Sequence, residues 1–241
     1  MLNGAALGGG LGDYYHFLAT KGHLLQPDLL IVGIALNDIL PYTESGETGE
    51  QSAEFRMKAS WIRRLNHFLL THSHMYVASY SRLKSWLYAS RLLDMNQLQG
   101  WNLLALKPPS PSQAMAWQGT YRMLATIIDD STAQQVPVVL LVFPLRMQMS
   151  PLQLKLYRDR YHLEVSSAAL EGDPQRHLNE FATRAHVALI DLLPIFRTCP
   201  PEEIYFHNDR VRDDAIHLSS VGHQIAAETI RDQLRQTICD H

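Results

Sequence analysis

Asp214 and His217 lie three residues apart in the stretch Asp213-Asp214-Ala215-Ile216-His217-Leu218-Ser219-Ser220-Val221-Gly222-His223. A carboxylate so placed can accept the Nδ1–H of an imidazole and leave Nε2 free as a general base. The same residues have a simpler use as a loop that caps a helix. Ser219 or Ser220 precedes Val221, Ile225, Ala226, Ile230 and Leu234, which fall at helical spacing. A metal site built from His207, Asp209, Asp214 and His217 is a weaker alternative, because no tight ligand spacing such as H-E-x-x-H is present.

A second pair of chemistry-bearing residues, Asn37-Asp38, follows the apolar run Leu29-Leu-Ile-Val-Gly-Ile-Ala35. Polar residues at the carboxyl end of a buried parallel strand stand where open α/β sheets place their ligand sites. Asn also starts turns without any further role. A third stretch, Asn3-Gly4-Ala-Ala-Leu-Gly8-Gly9-Gly10-Leu-Gly12-Asp13, is glycine-rich. It is no dinucleotide fingerprint, since no strand precedes it and the third glycine is misplaced. It reads as a loop whose backbone N–H groups can approach a ligand closely.

Elements must hold these residues in place. Leu29–Ala35 has no alternation and reads as a strand buried on both faces. Val136-Pro-Val-Val-Leu-Leu-Val-Phe143 is a second such strand, and Val187–Asp191 a third, shorter one. Leu11, Tyr14, Tyr15 and Leu18 mark a helix face that stops near Gly22. Trp117, Tyr121, Leu124, Ala125 and Ile128 mark another, with Ser112 as its cap after the stiff Pro108-Pro-Ser-Pro111. A helix follows from about Pro174 to Ala185, then a short one from Leu192 to Arg197. Residues Pro151 to Leu170 show no clear pattern. Alternating strands and helices imply βαβ units and a parallel α/β sheet. At that sheet's carboxyl edge a backbone N–H, a side-chain amide and an Asp–His pair can converge, which is equipment for acyl transfer.

Between Arg56 and Lys107 the chain holds eight Lys or Arg and one acid, Asp94, interleaved with aromatic residues. Residues 41–112 are expected to form a helical insertion. It serves either as a lid or side wall for an anionic surface or acyl substrate, or as a packed segment with its basic face in water. Residues 1–241 otherwise read as one domain. A net charge of −3 and a pI near 6.4 offer no footprint for nucleic acid. No apolar run reaches the roughly 20 residues of a transmembrane segment. Two cysteines set no disulfide framework and no zinc spacing. Compartment and oligomeric state are not encoded in these patterns.

Taken together, the glycine loop, Gly33-Ile-Ala-Leu-Asn37-Asp38 and Asp214-Ala-Ile-His217-Leu-Ser resemble, in order and spacing, three blocks of the SGNH hydrolase superfamily, also called GDSL esterases/lipases. The resemblance implies a flavodoxin-like three-layer α/β/α sandwich with no metal or organic cofactor. It implies hydrolysis of a small-molecule, glycan or lipid ester. It makes Gly8 N–H and the Asn37 side chain oxyanion-hole donors, and Asp214 and His217 the catalytic acid–base pair. The family's Gly-Asp-Ser block is absent, since Gly12-Asp13 is followed by Tyr14, and no residue is assigned as nucleophile. The expectation is that Met1 is an internal start, or that the gene is broken, and that codons upstream of Met1 encode a strand ending in that serine. Without it the chain should be poorly soluble and inactive on esters. The alternative function is a catalytically inactive SGNH-fold module that binds a glycan or acyl group.

Overall fold

The computed structural model describes residues 10–39, 73, 75, 79, 104–161, 163–207 and 214–239. Gly8 and almost all of the expected insertion at 41–112 lie outside them. The first element, α1 (Leu11–Thr20), buries Leu11 and Leu18. Strand β1 (Leu30–Ala35) follows and ends in a 3₁₀ turn, Leu36–Asp38. Helix α2 (Pro111–Ala133) leads to β2 (Val138–Phe143). Helices α3 (Pro151–Tyr161) and α4 (Asp173–Arg184) lead to β3 (Ala188–Asp191). Short helices α5 (Leu193–Phe196) and α6 (Pro201–Ile204) precede the long α7 (Ser220–Cys239).

The strands form a parallel sheet in the order β1-β2-β3. Register pairs Leu30 with Val138 and Ala35 with Phe143, so both strands end level. Side chains alternate across a strand. Val32, Ile34, Val138, Leu140 and Val142 therefore share one core with α1, α2 and α4. Val139, Leu141 and Ile190 face a second core with Phe196, Ile204, Tyr205 and Ala226. Helices thus cover both faces, and the fold class is α/β.

The sequence pattern overstates the burial of β1. Val32 and Ile34 are buried, whereas Leu30, Ile31, Gly33 and Ala35 are only partly so. The strand enclosed on both faces is β2, buried from Val138 to Val142. It has a ladder partner on each side, and β1 has one among the described residues.

Two helices run into strands without a glycine. Gln135 (φ 60°) and His186 (φ 54°) take the left-handed conformation just past α2 and α4. In each case the next residue's N–H reaches back into the last turn, Val136 to Ser131 O (2.9 Å) and Val187 to Ala182 O (3.0 Å). These bonds satisfy carbonyls that a helix end leaves open and aim the chain at the sheet.

The cap of α2 is Ser110, not Ser112. Ser110 Oγ accepts the Gln113 N–H (3.2 Å), and Pro111 occupies the first helical position, where a missing N–H does no harm. Helix α3 fills part of the stretch that has no readable pattern. It buries the polar Gln153 beside Leu154 and Tyr157 and exposes Leu152, which scrambles its apolar stripe. Among the described residues no helix is long and apolar enough to cross a membrane.

Candidate functional site

The carboxyl edge of the sheet gathers three polar strand ends. The first is the turn after β1. Asp38 folds back so that its Oδ2 accepts the Ala35 N–H (3.1 Å) and the Tyr14 hydroxyl of α1 (3.2 Å). Burial pushes the Asp38 carboxyl up to about 6, against the opposing pull of those two hydrogen bonds. Burial, and next the Asp38 charge, likewise push the Tyr14 phenol up. Asn37 stands between fully buried Leu36 and Asp38. Its Oδ1 is buried and accepts no hydrogen bond among the described residues. A buried acceptor left open costs about 1–3 kcal/mol, so such atoms are rare in folded proteins.

The second strand end is the turn after β2, and it is heavily braced. Gln148, fully buried, accepts the Leu145 N–H on Oε1 (3.1 Å) and exchanges amide hydrogen bonds with Gln175 of α4. Arg197 donates twice to Gln148 O (3.0 and 2.7 Å), and the buried Tyr205 hydroxyl donates to Pro144 O (2.9 Å). Arg146 is also buried. Its guanidinium donates to Gln153 Oε1 (3.2 Å) and pairs with Glu202 (3.4 Å). The third end is Asp191 of β3. Its Oδ1 accepts the Leu193 N–H (2.9 Å), and burial raises its carboxyl despite that bond and the nearby Arg197.

This platform carries the Asp214–His217 loop, because Arg146 N–H donates to Ala215 O (2.9 Å). Within the loop, Asp214 Oδ1 accepts the N–H groups of Ile216 (2.9 Å) and His217 (2.8 Å). That fixes the carboxylate, and Oδ2 meets His217 Nδ1 at 2.9 Å. Asp214 is mostly covered, while the His217 side chain is 70% exposed. Nδ1 is the ring nitrogen held by the carboxylate, so Nε2 is the one left for proton transfer.

The far side of the loop is tied to α6. Phe206 N–H donates to His217 O (2.8 Å), Ser219 N–H to Ile204 O (2.8 Å), and Tyr205 bridges Leu218. Of the two candidate caps for α7, Ser219 is the one used, its Oγ accepting the Gly222 N–H (3.0 Å). Gly222 packs so closely on α6 that a Cβ there would lie 2.3 Å from Ile204 O. Only glycine lets the first turn of α7 pass this carbonyl.

Asn37, Asp214 and His217 thus stand on the same sheet edge. Gly8 lies outside the described residues, as does Asp209. The one described glycine of that loop before α1, Gly10, gives its N–H to Asp13 Oδ2 (2.9 Å) and serves to start the helix. Sequence reasoning missed the Tyr14–Asp38 contact and the buried Arg146. Tyr14 reads as an apolar-face residue, and nothing local shows that its hydroxyl meets a carboxylate 24 residues on. No family model, curated protein or solved structure significantly matches this chain.

Proposed function

We propose that the chain carries the acid–base half of a serine-type ester hydrolase of the SGNH kind, built on a flavodoxin-like α/β/α sandwich. The observation that carries the reading is the Asp214–His217 pair, with Nδ1 2.9 Å from Oδ2, on the sheet edge that also bears Asn37. His217 Nε2 takes the proton of the attacking hydroxyl and returns it to the leaving alcohol. Asp214 holds the ring and offsets the charge of the imidazolium as it forms. Attack on an ester carbonyl places negative charge on its oxygen, where preorganised donors act most strongly. With Asn37 Oδ1 buried, its Nδ2 hydrogens are the donors toward that oxygen, and the Gly8 N–H is the second. A module that only binds esters or glycans has no use for an oriented Asp–His pair.

No residue of the 241 is assigned as the nucleophile. The test is hydrolysis of p-nitrophenyl acetate by the 241-residue chain and by any longer in-frame product of the same gene. His217→Ala should lower kcat about a thousandfold or more in whichever form is active. Hydrolysis in the 241 residues alone would place the nucleophile among them or make it a water. Hydrolysis that ignores His217, or none in either form, overturns the reading.

A further inference from the structure

We propose that Asp38 is a positioning residue for the Asn37 amide, locking the turn after β1 to α1 through the Ala35 N–H and the Tyr14 hydroxyl. The proposal rests on the reading of Asn37 as an oxyanion donor and names what sets its position. Both donors converge on a single atom, Asp38 Oδ2, at 3.1 and 3.2 Å. Among the described residues, Asn37 Oδ1 accepts no hydrogen bond that would hold its side chain. Its neighbours Leu36 and Ile39 are fully buried, so the turn is anchored on either side while its centre depends on Asp38. The link also reaches the glycine loop. Tyr14 N–H and Asp13 N–H both bond to Gly10 O, where that loop enters α1.

An ionised carboxylate accepts both hydrogen bonds strongly, and a protonated one holds them less well. Burial raises the Asp38 carboxyl to about 6, so the lock should loosen just below neutrality. Among the described residues, the elements packed on this turn bring few competing charges. From α1 the facing group is Tyr14, with Asp13 acting on Tyr14 rather than on Asp38. The 3₁₀ turn Leu104–Leu106 packs on it with apolar side chains only.

The experiment follows the Asn37 side-chain amide by NMR in the 241-residue chain from about pH 4.5 to about pH 8, a range that brackets the Asp38 midpoint. In the wild type the Asn37 Nδ2 resonances should shift with a midpoint near 6. In Asp38→Asn they should stay flat. In Tyr14→Phe, which keeps the carboxyl and removes one stabilising donor, the midpoint should move upward. A pH-invariant Asn37 in the wild type, or an unchanged titration in Asp38→Asn, overturns the proposal. No substrate is needed, so a lock that works in a protein hydrolysing no ester leaves this inference standing and sinks the hydrolase reading alone.

Discussion

The turn at Asn37–Asp38 and the loop at Asp214–His217 each place an aspartate at the carboxyl edge of one sheet, and they treat it in opposite ways. Asp38 is drawn inward, where burial raises its carboxyl and a phenol from another helix shares its oxygen. Asp214 has both oxygens engaged by donors from its own loop, two backbone amides and an imidazole. Its partner His217 stays open to solvent. The difference teaches where each geometry comes from. Asp214 and His217 orient each other locally, and the fold only has to hold their loop. The Asn37 turn depends on α1, so its shape is a property of the packed molecule.

The comparison breaks most visibly in stability against pH. The Asp38 carboxyl is raised from 3.8 to about 6 in the folded protein. The folded state therefore binds more protons than the unfolded state between those values. This contribution to stability is fully present below the unfolded value and is lost as pH rises through the folded one. At 1.36 kcal/mol per unit the loss is about 3 kcal/mol. Urea denaturation should show Asp38→Asn gaining on the wild type by up to about 3 kcal/mol between pH 4 and pH 8. An equal difference at both ends of that range would show that Asp38 is not buried as described.

On the other side of the comparison, Gly222→Ala should destabilise the protein by about 1–3 kcal/mol, because the new methyl meets the Ile204 carbonyl rather than a movable side chain. Thermal unfolding gives the size. A 1H–15N spectrum should show the disturbance centred on the His217 loop and α6, with the Asn37 turn unmoved. A change spreading to Asn37 would mean the two regions are coupled more tightly than their contacts suggest. The smallest effect is expected for Ser219→Ala, about 1 kcal/mol for a lost helix cap. Its hydroxyl accepts from Gly222 and donates to Glu203 O, holding the last residues of the loop. Stability unchanged within error would move the cap to Ser220.

Much of the framework was readable because it rests on local rules. The run from Val138 to Val142 is apolar and buried throughout, and it reads as a strand within two residues of its true start. The stripe Leu11, Tyr14, Tyr15, Leu18 reads as a helix and is one. Failures occurred where tertiary packing overrode the local signal. Helix α3 hid behind a buried glutamine that serves Arg146. The cap of α2 fell on Ser110, where a proline at the first helical position and the Gln113 N–H settle a choice that three nearby prolines blur. The burial of β1 was overstated, since an apolar run does not say how many neighbours a strand will have.

By itself the sequence determined the alternation of strands and helices and the Asp214–His217 contact, because both are set by spacing within a few residues. Only the tertiary structure decided that Tyr14 reaches Asp38, that Arg146 N–H holds Ala215, and that Asn37 shares an edge with His217. Those contacts join residues far apart in the chain. They exist only once the strand order and register are set, and local propensity encodes neither.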